Sequence, residues 1–250
     1  YRFEAGGGAV LGSIQPQPLA NRPDGTLDLA EVEAAIKPDD PHFARTRLLA
    51  LENTITGRAI PRSYFEKALE LAGKKNLSAH LDGARLFNAA VKLEIPAKDL
   101  CKGFDSVSVC LSKGLGAPAG TVLLGNPTLI AKARRARKIL GGAMRQAGLI
   151  AAAGIYALEH NIERLAEDHA NAERLANGLR DSGYEVEGPH TNMVFVRISS
   201  EKVSALKEIL DKEQILVLPG ARLRLVTHLD VDAAGIDRAI AAFRSFAAKN

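Results

Sequence analysis

The stretch Asp105-Ser-Val-Ser-Val-Cys-Leu-Ser-Lys-Gly-Leu-Gly116 decides the fold. Residues 106–111 are short, β-branched and largely apolar, which reads as a buried strand, and residues 120–125 read as its hairpin partner. Lys113 follows the first strand in a glycine-rich turn. That position predicts restricted rotation and poor solvation, which favour the neutral amine that condenses with a carbonyl. A lysine snorkelling from a strand end is the competing reading of the same residue.

Upstream, residues 77–81 read as a second buried strand that runs into His80-Leu81-Asp82-Gly83-Ala84-Arg85. Asp82 then stands at a strand's C-terminal end, where α/β sheets place their ligand-binding groups. One helix-length segment separates it from Lys113. An aspartate and a lysine at the ends of two strands of one sheet is the arrangement that holds pyridoxal phosphate. The lysine takes the aldehyde, and the aspartate keeps the pyridine nitrogen protonated.

The flanking sequence repeats this grammar. Residues 47–51 read as a strand that delivers Glu52-Asn53-Thr54 to the same rim. Asp28 with Glu31 opens a helix that Pro38 stops, and Ser63 with Glu66 caps another, with Phe65, Leu69 and Ala72 on its apolar face. Strand alternating with helix predicts an α/β fold, a mostly parallel open sheet with helices on both faces. Residues 9–19 read as a short strand and an extended, proline-spaced loop. Asn126-Pro127 opens a basic helix containing Lys132, Arg134, Arg135, Arg137 and Lys138, whose plain reading is a solvated face. Gly141-Gly142 breaks it, and alanine-rich sequence predicts a long helix from Gln146 past Asn161 towards Arg180. After Gly183 come strands over 194–196, 216–218 and 223–226, a helix over 203–210 and a closing helix over 232–246. These predict two domains, residues 1–160 and a small α+β domain over 161–250.

With 250 residues, 46% hydrophobic and 25% charged, the chain can bury a sizeable core. A net charge of +4, with a pI of 9.1, is too slight an excess to imply nucleic acid. Two cysteines, Cys101 and Cys110, are expected to be reduced thiols of a cytoplasmic enzyme. No apolar run approaches the roughly 18 residues of a membrane span. Tyr1 is not an initiator methionine, and the first residues read as the interior of a domain.

The chain resembles the low-specificity L-threonine aldolases. The matching pieces are Phe3-Glu4-Ala5-Gly6-Gly7, Gln15-Pro16-Gln17-Pro18, Lys37-Pro38-Asp39-Asp40, His42-Phe43-Ala44-Arg45 and Leu51-Glu52-Asn53-Thr54. Further on are His80-Leu81-Asp82-Gly83-Ala84-Arg85, Ser112-Lys113-Gly114-Leu115-Gly116, Arg145-Gln146 and Arg224-Leu225-Val226-Thr227-His228. They run from one end to the other, and their combination is specific where single pieces are not.

The resemblance implies pyridoxal 5'-phosphate bound by Lys113 and Asp82, and cleavage of L-threonine or L-allo-threonine to glycine and acetaldehyde. It assigns the substrate carboxylate to Arg85, which also borders the cofactor, and to Arg224. His42 falls near the substrate hydroxyl, and Lys138 and Arg145 near a neighbouring subunit's cofactor phosphate. Taken alone, the two arginines read as surface ion pairs and His42 as a hydrogen-bonded connection residue. His80 and His228 are read as structural. Strand alternation puts Arg222 on the same face as Arg224, with no role assigned to it. The resemblance further implies a homo-oligomer, a tetramer as a dimer of dimers, and no membrane or nucleic-acid partner. Measured against the family, roughly the first quarter is absent, with a glycine/threonine loop for the cofactor phosphate and a ring-stacking histidine. Ile55-Thr56 replaces the family's histidine and asparagine. Alternative readings are another pyridoxal phosphate lyase of the same fold, a serine hydroxymethyltransferase-like enzyme, or an inactive fragment.

Overall fold

Residues 3–248 are described by the structure, a computed structural model; Tyr1 lies outside them. A short α1 (Gly7–Gly12) and α2 (Leu29–Ala35) precede the first strand. Asp28 caps α2 as expected, its carboxylate accepting from Ala30 N at 2.9 Å. The first sheet contains β1 (Leu48–Glu52), β2 (Ser78–Gly83), β3 (Ser106–Cys110) and β4 (Thr121–Gly125), side by side in that order. The first three run parallel, and β4 returns antiparallel beside β3. Parallel neighbours need crossovers. α3 (Arg62–Lys74) carries the chain from β1 to β2, and α4 (Leu86–Leu93) with α5 (Ala97–Leu100) carries it from β2 to β3.

Alternate strand residues explain where the core sits. Leu49, Leu51, Ala79, Leu81, Val107 and Val109 are buried, and all but Ala79 pack in one cluster with Phe65, Ala68 and Leu100. Burying a side chain such as Leu81 or Phe65 stabilises by about 1.5–3 kcal/mol. Intervening residues such as Leu48, His80, Asp82 and Ser106 are exposed or half-buried. The chemistry-bearing residues lie among this second set.

After β4, Asn126 caps α6 (Pro127–Ile139), accepting from Leu129 N at 2.9 Å with Pro127 in the first turn. α7 (Gly148–His160) and α8 (Leu165–Asp181) follow. A second sheet, β5 (Val186–His190), β6 (Met193–Arg197) and β7 (Arg222–Val226), is antiparallel throughout. It packs with α8, α9 (Val203–Lys212) and α10 (Ala233–Ala247) around Leu179, Val194, Val196, Leu210 and Phe243. Leu165 belongs to the first cluster and Ala172 to Leu179 to the second, so α8 spans both.

Four local expectations are corrected, and one strand is new. Residues 9–12 are helical, not a strand; α1 ends at Ser13 in the left-handed region, with Ile14 N bonded back to Gly8 O. α3 starts behind Pro61 without a side-chain cap, so Ser63 does not cap it. The long helix is broken, because Asn161 leaves helical geometry and sends its side-chain amide to Leu115 O at 2.8 Å. Residues 216–218 form no strand; Val217 packs inward while Leu216 and Leu218 stand exposed without a strand partner. β5 was not anticipated, since Glu187-Gly-Pro-His190 contains two strand breakers and is accommodated at an irregular register with β6.

Candidate active site

Pairing register gathers the site. Glu52 is opposite Asp82 on the neighbouring parallel strand, and Asp82 is opposite Ser108 on the next. The first two carboxylates therefore stand side by side on the less buried face. Asp82 Oδ1 accepts from Ala84 N at 2.9 Å, which turns the chain immediately after β2 and sets Arg85 at the start of α4. Gly83 permits this, because a Cβ there would meet Ser108 O at 2.6 Å.

Lys113 lies beyond the end of β3 and is exposed. The expectation of poor solvation is thus corrected: the lysine sits three residues past Cys110, in a turn outside the packed strand. That turn is tight, with Gly116 N donating to Lys113 O at 2.9 Å and Ala117 N to Leu111 O at 3.0 Å. Leu111, Leu115 and Ala117 anchor it in the core.

Electrostatics tie these groups together. Burial, reinforced by the charge of Asp82, holds the Glu52 carboxyl above the usual range, with Lys113 and Arg85 acting in opposition. Burial and the like charge of Arg224 lower the Arg85 guanidinium's pKa, and Glu52 opposes the shift. The Arg85 Nε is buried with no hydrogen-bond partner. Thr54, two residues past Glu52, likewise buries an unpartnered hydroxyl. Arg85, with the like charge of Arg224 acting on it and a buried Nε–H unpartnered within the chain, has the donor chemistry that an anion takes.

The second sheet supplies Arg224. In β7 Leu223 and Leu225 are buried while Arg222 and Arg224 are exposed, as the alternation requires. Their surroundings differ. Arg222 donates twice to Glu187 Oε2, at 3.3 and 2.8 Å, and lies 3.9 Å from the centre of the Phe195 ring. Glu187 also takes Arg58 at 2.5 Å, and its carboxyl is pushed down to about 2 by Arg222 and then Arg58. The Arg224 side chain has no hydrogen bond or ion pair among the described residues, and its charge acts on Arg85.

The remaining candidates lie apart. His42 is exposed in the loop before β1, its ring 2.9 Å from Asp40 Oδ1. Lys138 in α6 and Arg145 beyond it are exposed, and no hydrogen bond or ion pair among the described residues joins them to Lys113 or Asp82. His80 bonds Ser106 at 2.8 Å. Ile55 packs against the core and Thr56 accepts from Arg58 at 2.9 Å, so the departure at these two positions serves the link towards Glu187. Sequence reading did not assign Glu52 a role; its signal was the strand ending one residue before a polar run. Among the described residues no three or more His, Cys, Asp or Glu side chains gather as a metal site.

Residues 1–201 match the family model described as beta-eliminating lyase, which defines the class to which the fold belongs. The low specificity L-threonine aldolase of Escherichia coli K12 is 50% identical over 249 residues, covering 100% of this chain and 75% of the relative. Low-specificity L-threonine aldolase 1 of Arabidopsis thaliana is 40% identical, covering 97% of this chain and 71% of that protein. The chain belongs to the low-specificity L-threonine aldolase family. In fold it is similar to the solved threonine aldolase of Leishmania major, at a TM-score of 0.80 and 20% identity, covering 96% of this chain and 73% of that one.

Proposed function

We propose that the chain is a pyridoxal 5'-phosphate-dependent aldolase that cleaves L-threonine and L-allo-threonine to glycine and acetaldehyde. The observation that supports the reading is that Asp82, Lys113 and Arg85 all act on Glu52 at the end of the first sheet, while Arg224 of the second sheet acts on Arg85, whose buried Nε–H is unpartnered within the chain. The donor set fits the cofactor and an amino-acid carboxylate: an accessible amine, an accessible carboxylate on the neighbouring strand, and two guanidinium groups.

When bound, the cofactor supplies an electron sink for the electrons of the broken Cα–Cβ bond. Asp82 would hold a proton on the pyridine nitrogen, and the Lys113 amine would hold the aldehyde carbon. Arg85 and Arg224 would take the substrate carboxylate in a fork. A fixed carboxylate sets which bond on Cα stands perpendicular to the ring, and so which bond breaks. His42 is assigned to the β-hydroxyl proton, its ring being exposed and held only by Asp40.

The same reading extends to assembly: a homo-oligomer, a tetramer as a dimer of dimers, in which Lys138 and Arg145 serve a neighbouring subunit's cofactor phosphate. It is supported by the exposure of both residues beside the apolar Ile139, Leu140 and Met144. It also divides the chain into a cofactor-binding domain over residues 1–160 and a smaller one over 161–250. A cytoplasmic setting is part of it, in keeping with Cys101 and Cys110 as separate thiols. No helix among the described residues is long and apolar enough to cross a membrane.

The test is product analysis with purified chain, pyridoxal phosphate and L-threonine. Glycine and acetaldehyde in equal amounts, abolished by Lys113→Ala, are expected. Appearance of 2-oxobutyrate and ammonia would replace the aldolase with an eliminating lyase, and absence of any product with cofactor bound would refute both.

A further inference from the structure

The lysine turn is held from the far sheet by one residue that the proposed chemistry leaves unused. His228 Nε2 lies 3.0 Å from the carbonyl oxygen of Lys113. A carbonyl only accepts, so Nε2 carries the proton; Nδ1 faces Asp230, 3.5 Å from its N–H and 3.3 Å from its carboxylate. The neighbouring Leu229 presses on the same turn. Gly116 has φ +74, and a Cβ there would stand 2.2 Å from Leu229 Cδ2. A hydrogen bond and a steric contact from consecutive residues thus fall on residues 113–116.

The base from which His228 projects is fixed. Thr227 is buried, its N–H donates to Asn192 O at 3.0 Å, and Asn192 returns a side-chain donor to Thr227 O at 3.0 Å. Its hydroxyl donates to Asp168 O at 2.6 Å. Arg224 lies three residues before Thr227, on the strand this anchor terminates. We infer that His228 is a positioning residue: its bond to the Lys113 carbonyl locks the lysine turn to the end of β7, so that the amine and the carboxylate-binding arginine keep one spacing. The inference rests on the proposal that Lys113 and Arg224 serve one substrate, yet the tie itself is testable without that chemistry.

The experiment compares His228→Ala and His228→Gln in the full 250-residue chain. Amide hydrogen exchange is read at Gly116 and Ala117 and, as an internal reference, at Val194 and Val196 in β6. The alanine variant should speed exchange at the turn about fivefold, the equivalent of one net hydrogen bond of about 1 kcal/mol, with β6 unchanged. The glutamine variant, whose amide can donate to the same carbonyl, should restore most of the protection. With pyridoxal phosphate and L-threonine, the alanine variant should lower kcat and raise KM together, and glutamine should recover both. Unchanged exchange at the turn, equal acceleration in β6, or no recovery by glutamine would overturn the inference. A wild-type chain that cleaves nothing would refute the proposed function and leave the exchange result to decide the tie.

Discussion

Two arginines on one face of β7 should fail in opposite ways when each is replaced by lysine. Arg222 is a structural partner: it forks onto Glu187 and lies 3.9 Å from the centre of the Phe195 ring. The pair is nearly half exposed, 49% for Arg222 and 41% for Glu187, so solvent screening holds it to at most about 1 kcal/mol. The ring contact adds about 0.5–1 kcal/mol. A lysine keeps the charge and loses the fork, so Arg222→Lys should cost about 1 kcal/mol, or roughly 2–4 °C in Tm for a chain of this length, with turnover intact. Arg224 has no partner to lose, and Arg85 repels it. Arg224→Lys should leave Tm within about 1 °C, since surface changes away from such features are near neutral. In the substrate complex it should forfeit a hydrogen bond to a charged group, about 1.5–3 kcal/mol, which is roughly 10- to 150-fold in kcat/KM. Calorimetry and threonine-cleavage kinetics on the two variants make the test. Loss of activity in Arg222→Lys with Arg224→Lys silent would refute the assignment, as would a pure stability loss in Arg224→Lys.

Glu187 has its pKa depressed to about 2, so the stability it contributes is present above the ordinary glutamate range and is lost as pH falls from there towards 2. Between pH 5 and pH 2 the wild-type chain should therefore lose more Tm than Glu187→Gln. Glu52 runs the other way: its pKa is raised, so its stability is fully present below the ordinary value and is lost as pH rises through the raised one. Glu52→Gln should match wild type in Tm at pH 4 and exceed it at pH 8, by roughly 0.2–1 kcal/mol for a relieved like-charge neighbour. Asp82→Asn can still accept from Ala84 N and should fold normally, while kcat drops by roughly 2–3 kcal/mol, or ~30- to 150-fold, because an amide cannot hold a proton on the ring nitrogen. Unchanged turnover would remove Asp82 from the mechanism.

How much of this was legible in the sequence depended on whether a signal was local. The hairpin around Lys113, the strand ending at Asp82, the caps at Asp28 and Asn126 and the alternation of Arg222 and Arg224 are written in consecutive residues. β5 is not, because a Gly-Pro pair suppresses strand propensity and only pairing with β6 creates it. The break between α7 and α8 was hidden by alanine-rich sequence, since its cause is a hydrogen bond from Asn161 to Leu115, far back in the chain. Glu52 gains its neighbour Asp82 only from the register of two strands, and the charge of Arg224 acts on Arg85 only through the tertiary fold. Solvation of Lys113 was misjudged for a related reason: the strand is half-buried at alternate positions and the lysine falls beyond its end.

The central claim is that Lys113 carries the cofactor. Incubating the chain with pyridoxal phosphate, reducing with borohydride and mapping peptides by mass spectrometry tests it directly. A single pyridoxyl-phosphate addition on Lys113, absent in Lys113→Ala, is expected. Label on another lysine, or none under conditions where the chain cleaves threonine, would contradict it.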